Sequence, residues 1–295
     1  MPTASVEELR EKADKWNMAT TKELLPAWCF NVGRNRDRAW NSKNFKDWKS
    51  DPMRNRRCII VASAPGLKDE TILELLDYNG DIIVCNKMLE RFVKLGVQPA
   101  WCILLDSDPI STNQFEFMNG WVKTWNVKFL VSTIAYPYTV KTINQCNPDN
   151  FYMFNPQTDT GGEVAISKTW EWLNGCPSLC HGGNVGGLAF QFAKSVGYEE
   201  IALLGFGFYE ELNPGWTMKE AGEREFFYYP DIDRTVAIPF HFLSYSNYLM
   251  SSALEWKGHN EERRVINLSE SPVMRHSPVF TQEEVGEYVE RSKGI

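Results

Sequence analysis

The sequence has no apolar run long enough to span a membrane, and its opening residues, Met1–Arg10, are polar and helix-like. These absences exclude a transmembrane class and a secretory leader, and the expectation is a cytoplasmic protein. Cysteine is sparse: seven residues, an odd number at wide spacing, which argues for reduced thiols rather than a disulfide framework. Cys58, Cys85 and Cys102 sit inside apolar runs, where cysteine behaves as a small buried hydrophobe. Cys176, Cys180 and His181 form the tightest group, but no second Cys/His cluster completes a zinc shell. Neither G-x-G-x-x-G nor a G-K-[ST] phosphate loop occurs, so an ordinary dinucleotide fold and an ordinary NTPase lack support. Internal repeats and low-complexity tracts are also missing.

What is present describes a folded globular chain. It has 295 residues, 43% hydrophobic and 13% aromatic, enough for one or two domains with a full core. The formal net charge of −7 weighs against nucleic acid as the main partner. Charge is uneven, however: between Trp28 and Arg57 nine Lys/Arg face three Asp/Glu. That stretch could grip phosphate or a partner, or it could be a solvated basic arm packed by Trp40, Phe45 and Trp48. Residues 1–50 therefore read as a helical, basic extension, with a helix from about Ser5 to Leu25 ended by Pro26, and residues 51–295 as the main domain.

From Arg57 the pattern changes. Apolar runs of strand length occur at Cys58–Ala62, Asp81–Cys85, Trp101–Leu105, Val127–Ser132, Phe151–Phe154, Ile201–Leu204 and Val265–Leu268. Helix-like segments alternate with them at Thr71–Leu76, Lys87–Leu95, Val185–Val196 and Phe240–Trp256. Strands apolar on both faces and alternating with helices imply a doubly wound α/β fold, Rossmann-like, around a mostly parallel sheet. The aromatic-rich stretch from Phe206 to Tyr248 reads as a lid or insertion over the site rather than a strand.

In such sheets ligands bind beyond the carboxyl ends of the strands. The first tip, Ser63-Ala64-Pro65-Gly66, could cradle phosphate with backbone N–H groups or be a tight strand–helix turn. Asn86 follows the second strand. Asp106 and Asp108, one residue apart behind the third, could share a Mg²⁺ or Mn²⁺ ion, or could cap local amides in a turn. Gly182, Gly183 and Asn184 open a helix and allow an anionic ligand close to the backbone. His241, among aromatics at a helix entrance, could act as a general base near neutral pH or be a satisfied structural histidine.

These tips resemble the 6-hydroxymethylpterin diphosphokinase MptE-like family, which also holds the motility-associated flagellin glycosyltransferases. The resemblance rests on Ser63–Lys68, Ile83–Asn86 and Gly96–Pro99 leading to Leu105-Asp106. Gly197–Ile201, Gly205–Tyr209, His241 and Ile266–Pro272 are similar to segments of the related bacterial sialyltransferases. It covers about Arg57 to Phe280 and leaves residues 1–50 unmatched. The resemblance implies a nucleotide-dependent transferase acting on a small-molecule or glycan acceptor, with the nucleotide donor as co-substrate. On a glycosyltransferase pattern, Ser63, Gly66 and Asn86 would contact a CMP-type sugar donor, Tyr209 would steady the leaving phosphate and His241 would deprotonate the acceptor. On a diphosphokinase pattern, Asp106 and Asp108 would hold Mg²⁺ on ATP. A third reading is a non-catalytic nucleotide- or glycan-binding protein. It is motivated by Gly207 for a common Asp and Ala202 for a Tyr; the first loop also departs from the family pattern, with Ala64-Pro65-Gly66 for the usual Gly-Pro-Ser. A homo-oligomer is compatible with each reading.

Overall fold

The computed structural model describes residues 6–48, 56–115, 126–157, 166–213, 215, 217, 223–229 and 233–294. The first helix, α1 (Val6–Trp40), does not stop at Pro26 as the sequence suggests. Proline removes one amide from the helical ladder, at a cost of about 3 kcal/mol in a helix interior. Position 26 is exposed, so the freed carbonyl side faces water, and packing carries the helix onward. Trp28, Asn31, Val32, Asn35 and Ala39 recur at helical spacing and are buried. Asn31 Nδ2 donates to the Ile134 carbonyl at 2.8 Å, and Asn35 Nδ2 donates to the carbonyls of Thr133 and Ala135 at 3.0 and 2.8 Å. Trp28, Val32 and Phe45 belong to the same hydrophobic cluster as the central strands.

Six strands follow with their crossovers: β1 (Arg57–Val61), α2 (Asp69–Leu73), β2 (Asp81–Cys85), α3 (Leu89–Leu95), β3 (Trp101–Leu104), β4 (Lys128–Ser132), α4 (Pro137–Cys146), β5 (Phe151–Gln157), α5 (Ile166–Asn174) and β6 (Ser178–Cys180). The chain then runs through α6 (Val185–Ser195) into β7 (Glu200–Leu204). After β8 (Glu210–Glu211), β9 (Arg224–Tyr229) and β10 (Arg234–Pro239) come α7 (Phe240–Gly258), β11 (Arg264–Asn267), β12 (Thr281–Gln282) and α8 (Val285–Lys293). Among the described residues, the main sheet has nine strands in the order β12-β11-β7-β1-β2-β3-β4-β5-β6, with every pairing parallel. Alternation within β1 sends Ile59 and Val61 to one core and Cys58 and Ile60 to the other, so both faces are covered. This is the expected doubly wound α/β fold.

The aromatic-rich insertion departs from expectation in one respect: it forms strands. β8, β10 and β9 pair antiparallel as a separate three-stranded sheet. Its inner face buries Tyr229, Val236 and Ile238 against Tyr209, while Phe226 and Tyr228 stay about half exposed. Period-two burial of this kind is hard to read where nearly every residue is aromatic. Trp216, from the same stretch, lies outside the described residues.

Candidate functional site

Strand order reverses at β1: β2 to β6 extend to one side, whereas β7, β11 and β12 extend to the other. The chain leaving β1 and the chain leaving β7 therefore turn away from each other, and a crevice opens between them. A cleft of about 290 Å³ lies there. Ala64, Gly66 and Leu67 line it after β1, Gly205 and Tyr209 after β7, and Leu268, Ser269 and Glu270 after β11. Thr71 and Glu74 form one wall, and Glu284, Val285 and Gly286 at the start of α8 form the other.

Glycine shapes this cleft in two ways. Gly205 has φ +75°, and a methyl group there would stand 2.1 Å from the Ala62 carbonyl oxygen, so only glycine lets β7 and β1 diverge so closely. A methyl on Gly66 would come within 3.0 Å of the Tyr209 hydroxyl and 3.7 Å of Glu270 Oε2, which places both groups over the first turn. Gly207 has its own constraint: a Cβ would sit 2.9 Å from the Tyr209 ring and 3.1 Å from Ala64 Cβ. A side chain at this position would have to displace the Tyr209 ring.

The residues singled out by sequence fall into three groups. Ala64, Gly66 and Tyr209 line the cleft; Ser63 and Pro65 are exposed in the same turn. Gly182, Gly183, Asn184 and His241 form a second group around α6 and α7. Asn184 Oδ1 caps α6 by accepting from the Gly187 amide at 2.8 Å. Tyr248 and Tyr245 of α7 cover Gly182 and Gly183, both at positive φ. His241 lies 5.6 Å from the Tyr245 ring and 4.6 Å from Phe242, ring centre to ring centre. Phe242 also packs on the cluster containing Tyr209, and so joins this group to the cleft. Burial lowers the His241 pKa from its ordinary value, favouring the neutral imidazole.

The third group lies over β2 and β3. Asn86 is buried and donates to Gln114 Oε1 at 2.6 Å. Asp106 Oδ1 accepts from the Asp108 amide at 2.9 Å, and Asp108 Oδ1 accepts from the Ile110 amide at 2.9 Å. Both carboxylates thus make the local turn contacts that compete with a metal role. Cys176, Cys180 and His181 have separate partners: the Ala39 carbonyl, Gln157 Oε1 and the Gly183 amide. Among the described residues, no group of three or more His, Cys, Asp or Glu side chains is placed to hold a metal. Burial holds the Cys85 thiol near 12 and drives Cys58 and Cys102 well upward, so these thiols are protonated and unreactive.

Sequence reasoning pointed to Ser269 through its closing tip but missed Thr71, Glu74, Glu284 and Gly286. The first two lie on the short helical segment behind a strand–helix turn. Nothing in the sequence shows that the two-residue β12 delivers the start of α8 to this crevice.

A family model described as 6-hydroxymethylpterin diphosphokinase MptE-like matches residues 31–211, well over half of the chain. The protein belongs to this family. The match begins inside α1, earlier than the Arg57 start expected from the tips, and ends at β8. Among solved structures, the chain is similar to the MAf glycosyltransferase from Magnetospirillum magneticum AMB-1, with 13% identity and a TM-score of 0.59. That similarity covers 89% of this chain and 40% of the other, so this MptE-like chain spans about two fifths of its length. No curated protein sequence matches. Among the described residues, no helix is long and apolar enough to cross a membrane.

Proposed function

We propose that this MptE-like protein is a nucleotide-dependent transferase, and specifically a glycosyltransferase that uses a nucleotide-activated sugar of the CMP type. The observation that carries the reading is the cleft at the reversal of strand order, where three strand ends, the Gly66 turn and the Tyr209 hydroxyl meet. Membership of a family described as diphosphokinase-like supports transfer chemistry on a nucleotide, and the fold shared with a glycosyltransferase is compatible with sugar as the group transferred.

In this mechanism the donor nucleotide lies in the cleft and Tyr209 steadies the leaving phosphate through its hydroxyl. His241, kept neutral by burial, accepts the proton of an acceptor hydroxyl brought in along the Phe242 side. Glu210 and Arg224, paired at 2.8 Å, add nearby charges of both signs. Loss of the imidazole by His241→Ala is expected to lower turnover about a hundredfold or more while nucleotide affinity stays within a few-fold. Unchanged turnover would remove His241 from the reaction.

The family description favours a second reading, a Mg²⁺-dependent pyrophosphokinase. Asp106 and Asp108 each keep one carboxylate oxygen outside the turn contacts described above, and they would hold the ion on ATP. A thermal-shift series with CMP, CDP, UDP, GDP, ATP and AMP, with and without Mg²⁺, separates the two. Stabilisation by CMP without metal supports the sugar-transfer reading; stabilisation by ATP only with Mg²⁺ supports the second.

A further inference from the structure

The two walls of the cleft have different origins. Ala64 to Glu74 and Leu204 to Tyr209 lie inside the family match, whereas Leu268 to Glu270 and Glu284 to Gly286 lie beyond its end at residue 211. The walls meet through carboxylates. Glu270 Oε2 from the far wall reaches the Gly66 turn, and Glu74 Oε2 from the near wall lies 3.2 Å from where a methyl on Gly286 would stand. Among the described residues, every ionisable side chain lining the cleft is acidic or phenolic, and no lysine, arginine or histidine lines it. Like-charge repulsion therefore makes this cavity a poor phosphate holder, although it sits where the fold binds ligands. Its volume, near the lower end of small-molecule sites, suits a base with its ribose rather than a whole nucleotide-sugar.

We propose that the cleft is a nucleobase site in which Glu74 and Glu270 select bases carrying an exocyclic amino group, the segment after residue 211 supplying half of that selectivity. This rests on the reading of the cleft as the nucleotide site and adds to it which end of the nucleotide enters. An amino group donates to a carboxylate oxygen in a charge-assisted hydrogen bond, stronger than a neutral one. Uracil and hypoxanthine present a carbonyl oxygen at the same edge, which sets lone pairs against lone pairs. Glu74 and Glu270 are exposed in this structure, so the discrimination expected is that of one net hydrogen bond to a charged group. The phosphates then point outward past Tyr209, toward the loops that join the cleft to the His241 group.

Calorimetric titration of the full chain with two matched pairs, CMP against UMP and AMP against IMP, without metal, tests this. The amino member of each pair is expected to bind about tenfold or more tightly. In Glu74→Gln/Glu270→Gln, whose amides can donate as well as accept, the pairs are expected to bind within about threefold of each other. Glu287→Gln, an exposed change on α8 outside the cleft, is expected to keep the preference. Equal binding within each pair in the native chain overturns the inference but leaves the nucleotide reading standing. A preference untouched by the double substitution, in a variant with an unchanged melting temperature, overturns the assignment to these carboxylates. Binding that appears only with Mg²⁺ overturns it too, because the carboxylates would then be holding a cation. Absence of binding by all four nucleotides, with or without Mg²⁺, overturns the nucleotide reading itself.

Discussion

The carboxyl edge of the main sheet has two halves, and they use similar residues for opposite ends. Beyond β2, β3, β4 and β5, polar tips are tied down inside the protein. Asn86 holds Gln114, Asp106 caps the Asp108 amide, Trp28 Nε1 donates to Ser107 Oγ, and Thr133 Oγ1 donates to Asn155 Oδ1. α1 lies across this half and occupies carbonyls a ligand would otherwise meet. Beyond β1, β7 and β11 the tips instead leave a cleft. The difference comes from connectivity: only at the β1/β7 boundary do neighbouring chains turn in opposite directions. Small, polar and acidic residues after a strand therefore signal a strand end, and the sheet order decides whether that end is a site or a cap.

The harshest way to break the comparison is to close the open half. Gly205→Ala would drive a methyl into the Ala62 carbonyl at a positive φ, and the two closest atoms, at 2.1 and 2.9 Å, are backbone that cannot swing aside. We expect a loss of about 3 kcal/mol or more, read as a large drop in melting temperature and in soluble yield. The next effect belongs to the covered half. Asn35→Ala strands the Thr133 and Ala135 carbonyls in a buried position and should cost about 2–3 kcal/mol in a urea melt. Nucleotide affinity of the folded Asn35→Ala chain should stay within about twofold, because the carbonyls that Asn35 holds belong to the capped half and none of them lines the cleft.

Much of this architecture was legible in the residues themselves. Five-residue runs such as Cys58-Ile59-Ile60-Val61-Ala62 are of strand length and apolar on both faces, and each expected run from Cys58 to Val265 contributes to the main sheet. The cleft was legible in part: the Gly66 turn and Tyr209 were marked, because glycine and polar residues cluster directly after a strand. Its second wall was not, because β12 has two residues and no periodicity of its own. The run-on of α1 past Pro26 was hidden for another reason. Proline's local penalty is visible in the sequence, whereas the docking of Trp28, Val32 and Asn35 that outweighs it is tertiary.

A pH measurement sharpens the boundary between the halves. His181 precedes the α6 glycines, accepts from the Gly183 amide through Nδ1 at 3.0 Å, and is pushed down to about 4 by burial. A histidine depressed in the folded state adds stability that is complete above its unfolded value of about 6.5 and fades as pH falls toward 4. The melting temperature should therefore fall between pH 6.5 and 4, and His181→Asn should flatten that slope. A slope unchanged by the substitution would show that the ring is solvated and that this loop is loosely packed.

Asp106→Ala should give the smallest effect and the most direct reading of the comparison. If this carboxylate serves the covered half, its removal costs one cap on the Asp108 amide, on the order of 1 kcal/mol. CMP affinity would then stay within twofold of the native value, because the cleft lies past β1 on the other side. A tenfold loss of affinity, or the loss of a Mg²⁺-dependent component in ATP binding, would instead show that the tips of β3 and β1 grip one ligand together. Asp108→Ala, which removes the cap on Ile110, is the matched test. If only Asp106→Ala weakens binding, Asp106 contacts the nucleotide itself; if both do so equally, the pair acts as a metal holder. Neither result is compatible with carboxylates that do nothing but close a turn.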